Sequence, residues 1–207
     1  MAFEAEKRAA AERAALLVDD GMRVGLGTGS TVAFLLPALA ARGLRGLRCV
    51  ATSAATEHEA RALGLPVEPF EALDALDIAI DGADQVTPDR WLIKGGGGAH
   101  TREKVVAAAA ERFVVIVSPD KLVAELAAPV PVEVLRFGLA ATLRRLEPCA
   151  LRPGAPPSPD GGLVADYAGD IGDPSILAAR LASTPGVVDH GLFEPALVSE
   201  VVVGEGG

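Results

Sequence analysis

The chain has 207 residues, half of them hydrophobic, enough to bury a full core in one large α/β domain or in a domain with a small companion. A net charge of -9 and a pI near 4.8, with Arg scattered rather than clustered, argue against nucleic acid or an anionic membrane surface as the main partner, so an anionic ligand needs a local positive site. No apolar run reaches bilayer length, and the opening MAFEAEKRAAAERAALL reads as an amphipathic helix rather than a signal peptide, so the expected location is the cytoplasm.

Helical periodicity runs over residues 4–18 and stops before Gly21. Residues 23–27 read as a short strand, and GTGST at 27–31 turns into a helix from about 31 to 41. A strand at 47–51, a helix at 54–63 closed by Gly64, strands at 66–70 and 77–80, a helix at 101–112 and a strand at 113–117 continue the alternation. Such an order points to a doubly wound, mostly parallel sheet with helices on both faces and ligands at the carboxyl ends of its strands. After Pro129 come a strand at 130–135, a helix at 138–146, strands at 149–152 and 162–165, a helix at 174–182 and a strand at 187–192. This β-α-β-β-α-β order predicts a smaller ferredoxin-like α+β domain. Asp173 before Pro174 is an N-cap followed by proline at the first helical position. The expected organisation is an α/β catalytic domain over 1–129, the ferredoxin-like domain over 130–196, and a strand within 197–207 returning to the first domain. RPGAPPSPDGG, at 152–162, reads as a surface loop.

Candidate chemistry concentrates between Asp77 and Lys104, in DIAIDGADQVTPDRWLIKGGGGAHTREK. Asp81 and Asp84 follow a short apolar strand, which places two carboxylates in one loop mouth as turn formers or as ligands for a hard cation. Lys94 argues against the cation, because an ammonium near both acids already supplies positive charge. It leads into four glycines, 95–98, whose N–H groups can approach an anion or a developing oxyanion closely. His100 and Thr101 open a helix that carries Glu103 in its first turn, where an acid also suits the dipole on general grounds. Glu103 and His100 are rival general bases.

His58 and His190 read as surface residues, and Cys49 and Cys149 as buried thiols without metal-ligand spacing. In GTGST, Ser30 replaces the third glycine of a dinucleotide fingerprint, no acid ends the next strand, and the Gly-Lys-Ser/Thr of a P-loop is absent. Thr28, Ser30 and Thr31 at a helix start still suit a phosphate. A chain with fifteen Arg keeps four Lys, namely Lys7, Lys94, Lys104 and Lys121, and two of them border the glycine loop.

GTGST, DGAD, KGGGGA and TREK, in that order and spacing, with PVEV at 131–134 and PGVVDHGLF at 185–193, resemble the type A ribose-5-phosphate isomerases nearly end to end. The resemblance implies an aldose-ketose isomerase of the pentose phosphate pathway that interconverts ribose 5-phosphate and ribulose 5-phosphate. It also implies no cofactor and no metal, and a homodimer or a dimer of dimers. Carried over by motif, Thr28, Gly29, Ser30 and Thr31 hold the phosphate, and Asp81, Gly82, Ala83, Asp84 and Lys94 flank the reacting carbons. Gly95, Gly96 and Gly97 supply backbone amides, Glu103 is the base, and Lys7 and Lys121 match lysines that reach the phosphate end. Gln85 stands where an acid is expected, Gly98 and His100 stand where small or apolar residues are usual, and the TDNGN-like turn is altered to ADYAGD at 165–170.

The chemistry suits these residue types on its own terms. Moving hydrogen between adjacent sugar carbons passes through an enediolate, which needs one base for the carbon-bound proton and a positive or hydrogen-bonding environment for the oxygen charge. Glu103 suits the first need, Lys94 and the glycine amides the second, and Asp81 and Asp84 suit proton relay and opening of the furanose ring. A helix start stabilises a carboxylate and weakens it as a base, while burial does the opposite. Two other classes fit in part. A phosphosugar-sensing module of a regulator normally brings a basic helix-turn-helix segment, absent here, and an acyl-CoA transferase-like enzyme needs a nucleotide site that the short chain does not show.

Overall fold

The computed structural model describes residues 3–205. In chain order the first elements are α1 (Glu4–Ala15), β1 (Arg23–Leu26), α2 (Val32–Ala41), β2 (Arg48–Ala51), α3 (Ala54–Ala62), β3 (Leu76–Asp81), β4 (Gln85–Val86), β5 (Leu92–Ile93), α4 (His100–Ala108) and β6 (Ala110–Val117). There follow β7 (Val130–Val134), α5 (Leu139–Arg145), β8 (Cys149–Leu151), β9 (Leu163–Tyr167), α6 (Pro174–Ala182), β10 (Val187–His190), β11 (Leu192–Phe193) and β12 (Glu200–Val203). They fall into two compact units: the segments ending at Ala83, Arg102–Leu122 and the segment from Ala196 form the first, and Asp84–Thr101 with Val123–Pro195 form the second.

The first unit is a parallel five-stranded sheet in the order β2-β1-β3-β6-β12, with every neighbouring pair parallel. Alternate strand residues Val24, Leu26, Ile78, Ile80, Val114 and Ile116 bury one face against Ala10, Ala14, Leu35 and Leu39 of α1 and α2. Each fully buried Leu or Ile contributes about 1.5–3 kcal/mol. The other face is covered by α4, whose Val106 sits over Gly25, where an added Cβ would come within 2.4 Å of its Cγ1. Helices on both faces are thus built in by the period-two alternation of the strands.

The second unit holds a four-stranded antiparallel sheet in the order β10-β7-β9-β8, crossed in sequence by α5 and α6 in the ferredoxin-like β-α-β-β-α-β arrangement. As the sequence predicts, the Asp173 carboxylate caps α6 by accepting from the Ser175 N–H at 2.8 Å. A separate three-stranded sheet, β11-β5-β4, completes the unit. That sheet explains why residues 84–101 group with the second unit, outside the boundaries read from the sequence: β4 and β5 pair with β11. Residues 123–129 follow them, since Val123 N–H donates to Val86 O at 2.9 Å and the Gln85 amide bonds both the carbonyl and the N–H of Ala127.

Several boundaries differ from expectation for physical reasons. The strand expected at 66–70 is one bridge, Cys49 with Val67, because Pro66 and Pro69 have no N–H to give a ladder. The helix expected to reach 112 stops at Ala108, since β3 recruits Ala110 and Arg112 into β6. Residues 165–167 lie in β9 rather than in a turn, and the turn of the β8–β9 hairpin is Ser158 to Gly162, closed by Ser158 N–H to Gly162 O at 2.8 Å. His190, expected at the surface, is buried, and its Nδ1 accepts from the Leu192 N–H at 3.3 Å. No helix among the described residues is long and apolar enough to cross a membrane.

Candidate active site

In the first unit, the chain leaves β1 for β2 on one side and later returns to β3 on the other, so the strand order reverses between β1 and β3. A crevice at the carboxyl ends of strands at such a reversal is where open α/β sheets bind ligands. GTGST follows β1 there, and Asp81 ends β3. The buried Asp81 carboxylate accepts from the Thr28 N–H at 3.0 Å and the Gly82 N–H at 2.7 Å, which locks the turn onto the strand. Only glycine fits at position 27, because a Cβ there would lie 2.0 Å from the Asp81 carboxyl carbon. Past it, Gly29 (φ +124°) and Ser30 are exposed and Thr31 is the N-cap residue of α2, whose first turn carries no acid.

The Lys7 ammonium donates to Ser30 Oγ at 3.0 Å. A cation at a helix N-terminus opposes the dipole, and a dianion held by both removes the conflict. Lys121 follows β6 in a short 3-10 turn, with its ammonium 3.3 Å from Asp120. Glu103 lies in the first turn of α4 and is 4% exposed, so it is shielded from bulk water.

In the second unit, Lys94 follows β5, is 2% exposed, and sets its ammonium 5.5 Å from the centroid of the Phe193 ring. Its N–H donates to Gly191 O at 2.8 Å. The glycine loop then turns through Gly95 (φ +104°) and Gly98 (φ +75°), backbone that side-chain-bearing residues rarely adopt, and Gly98 N–H closes it onto Gly95 O at 3.0 Å. Gly96 and Gly97 are exposed, and the Gly96 N–H donates to Asp84 Oδ2 at 2.8 Å. Asp81 thus accepts from the backbone of the GTGST turn and Asp84 from that of the glycine loop. His100, the rival base, is fully buried with its ring packed against Gly95. Among the described residues no group of three or more His, Cys, Asp and Glu is placed to hold a metal ion.

The sequence profile described as ribose 5-phosphate isomerase A (phosphoriboisomerase A) matches residues 48–207. The chain belongs to this family. It is 47% identical to a ribose-5-phosphate isomerase A of Caulobacter vibrioides, covering 99% of this chain and 96% of that one. The ribose 5-phosphate isomerase A structure from Methanocaldococcus jannaschii is similar with a TM-score of 0.90 at 35% identity, over 96% of this chain and 94% of that one. A D-ribose-5-phosphate isomerase in complex with phospho-erythronic acid gives 0.88 at 33%, over 95% and 93%.

In this member of the ribose 5-phosphate isomerase A family, side chains outside the predicted site hold the motif residues in place. The Thr28 hydroxyl lies 2.7 Å from that of Thr52 and 3.3 Å from that of Thr56, and the Thr56 hydroxyl donates to Gly27 O at 2.9 Å. Thr28 thus braces its own turn. Buried Glu133, inside PVEV, accepts from the hydroxyls of Thr101 and Ser158 and so ties the start of α4 to the β8–β9 hairpin. A charged residue within an otherwise apolar strand is the signal the sequence offers for Glu133. Arg152, in the hairpin read as surface, donates to Gly95 O at 3.1 Å and Gly96 O at 3.0 Å. Cys49 is buried as expected, whereas Cys149 is only partly so; burial pushes the Cys49 thiol up to about 12 and the Cys149 thiol up to about 11, which disfavours the thiolate of both.

Proposed function

We propose that the chain interconverts D-ribose 5-phosphate and D-ribulose 5-phosphate through an enediolate. The observation that carries this reading is Glu103, a buried carboxylate in the first turn of α4, in a unit whose parallel sheet presents a phosphate-type turn at its β1/β3 reversal. The phosphate is assigned to Thr28, Gly29, Ser30 and Thr31 with the start of α2, and to the ammonium groups of Lys7 and Lys121. Glu103 takes the proton from C2 of the open-chain aldose and returns it to C1. Charge passes to O1 as the enediolate forms, and Lys94 with the N–H groups of Gly95 and Gly97 stabilises it, while the Gly96 N–H steadies the Asp84 carboxylate. The hydroxyl proton leaves O2 and reaches O1, a transfer assigned to Asp81 and Asp84, which also assist opening of the furanose ring; Gly82 and Ala83 keep the two carboxylates at their spacing.

An aldonic acid phosphate such as phospho-erythronic acid, bound by a structural relative, carries a planar carboxylate where a sugar enediolate has its two oxygens, which supports the same reading. The step needs no redox cofactor, because hydrogen only moves between neighbouring carbons, and no metal, because Lys94 supplies the positive charge. The enzyme is taken to work in the cytoplasm as a homodimer or a dimer of dimers. The deciding experiment is incubation with ribose 5-phosphate and detection of the ketose; absence of ketose formation by folded protein refutes the assignment.

A further inference from the structure

The glycine loop 95–98 has no side chains with which to hold its own shape, and fixing the backbone of each residue costs about 1–2 kcal/mol in conformational entropy, most for glycine. Something outside the loop must define which way its peptides face. Arg152 meets that need through the geometry of its fork. Nε and Nη2 grip the Asp166 carboxylate at 2.9 and 2.6 Å, and Nη1, left over, donates to Gly95 O at 3.1 Å and to Gly96 O at 3.0 Å. Asp166 lies on β9 and Arg152 just after β8, so the anchor is a pair of neighbouring antiparallel strands.

The consequence for the loop follows from peptide planarity. In the peptide joining Gly95 to Gly96, the carbonyl is held by Arg152 and the N–H by Asp84, so both ends of one plane are fixed. In the next peptide the carbonyl of Gly96 is held by Arg152, which turns the Gly97 N–H away from the guanidinium. Gly97 is exposed, so the bond from Arg152 to the Gly96 carbonyl decides where the exposed part of the loop aims the Gly97 N–H. Asp166, and next to it Asp84, raise the proton affinity of Arg152, first through the hydrogen bonds to Asp166, so the guanidinium stays charged throughout the working pH range.

We propose that Arg152 is a positioning residue for the isomerisation, orienting the amide of Gly97 toward the oxygen charge that develops in the transition state while Asp166 holds its guanidinium in place. The role rests on the isomerase reading above. Lysine cannot replace Arg152, because one compact ammonium cannot grip a carboxylate at two points and still reach two carbonyls. Because the orienting bonds matter where charge develops, their loss acts on the chemical step rather than on substrate binding.

The test uses Arg152→Lys and Arg152→Met in the full chain, with two readouts. Steady-state kinetics on ribose 5-phosphate are expected to show kcat reduced about 10- to 100-fold in both variants, with KM changed less than about threefold. Affinity for a phosphorylated aldonic acid should fall by a factor similar to that in kcat. Hydrogen exchange, which needs no turnover, should be at least about tenfold faster at the amides of residues 95–98 in both variants, with that of the parallel sheet unchanged. Arg152→Lys keeps the charge, so it remains informative if Arg152→Met fails to fold. The proposal is overturned if Arg152→Lys retains wild-type kcat, if KM rises with kcat unchanged, or if exchange in the loop is unaltered. A wild-type protein that folds but forms no ketose refutes the isomerase reading and with it the catalytic role, and loop exchange then reports separately whether Arg152 holds the loop.

Discussion

Replacing Ser30 by Asp should move stability and catalysis in opposite directions. Ser30 is exposed, precedes the N-cap of α2, and accepts a hydrogen bond from the Lys7 ammonium at 3.0 Å. A carboxylate there suits the helix dipole by about 0.3–1 kcal/mol and gains a partner in Lys7, so Tm should rise by about 1–4 °C in a chain of this length. The same charge repels a phosphate carrying about -1.5 to -2. Two unit charges 4 Å apart interact by about 1 kcal/mol in water and about 4 kcal/mol at the effective dielectric of a protein surface. At an exposed turn the penalty should therefore be about 2–4 kcal/mol, which is roughly 30- to 1000-fold in KM for ribose 5-phosphate. Ser30→Ala, which loses one hydrogen bond and adds no charge, should cost only about 2- to 12-fold. The assay compares kcat/KM for ribose 5-phosphate and for ribose: Ser30→Asp should erase much of the preference for the phosphorylated sugar, and its KM defect should shrink as salt is raised. A variant that melts higher and keeps its KM for ribose 5-phosphate would show that the phosphate binds elsewhere.

Glu103→Gln keeps shape and hydrogen-bonding capacity but removes basicity, so turnover should fall by roughly two to four powers of ten with substrate still bound. Near-normal turnover in Glu103→Gln together with loss in His100→Ala would transfer the base to His100. Prolonged chelation should leave activity unchanged, and loss with recovery on adding a divalent ion would contradict the role given to Lys94. Asp77 accepts from the Arg23 guanidinium at 2.6 Å and from its N–H at 2.6 Å, and the side-chain bonds first, then the backbone bond, hold its carboxyl below the usual 3.8. A depressed carboxylate contributes stability fully present above its unfolded value and lost as pH falls through its folded one. Asp77→Asn should accordingly melt below wild type near neutrality, with the gap closing below about pH 4; a gap that stays constant across that range would separate Asp77 from acid stability.

Most of the scaffold was legible because its signals are local. The alternation of short apolar runs with helical segments gave the parallel sheet, the order of six elements after Pro129 gave the antiparallel one, and Asp173 before Pro174 marked the start of α6. The misplaced boundaries are those where a distant partner overrides local preference. Residues 110–112 continue a helical pattern, yet β3 draws them into β6. Residues 187–192 read as one strand, but Gly191 bonds both Pro131 O and the Lys94 N–H, and the run is divided between two sheets. The grip of Arg152 on Gly95 spans 57 positions, and nothing in RPGAPPSPDGG distinguishes an arginine that holds a loop from one that faces water.

In DGAD, two acids three residues apart brace two different stretches of backbone. A glycine-rich segment lets backbone amides come close to a ligand, but it leaves the chain without side chains to define its path. Each of the two glycine-rich segments is instead held by one of these carboxylates: Asp81 takes the Thr28 N–H of GTGST, and Asp84 takes the Gly96 N–H of the loop after Lys94. An ionised carboxylate has about four acceptor positions, so each can brace backbone and still accept from a sugar hydroxyl. The spacing then has a physical cause. Asp81 must end β3 to reach the turn after β1, whereas Asp84, whose N–H donates to Ile93 O at 2.8 Å, must lie beside the end of β5 to reach the loop that leaves it. Gly82 and Ala83 are the length of chain between those two duties, and a pair of acids at shorter spacing would leave one glycine segment without its brace.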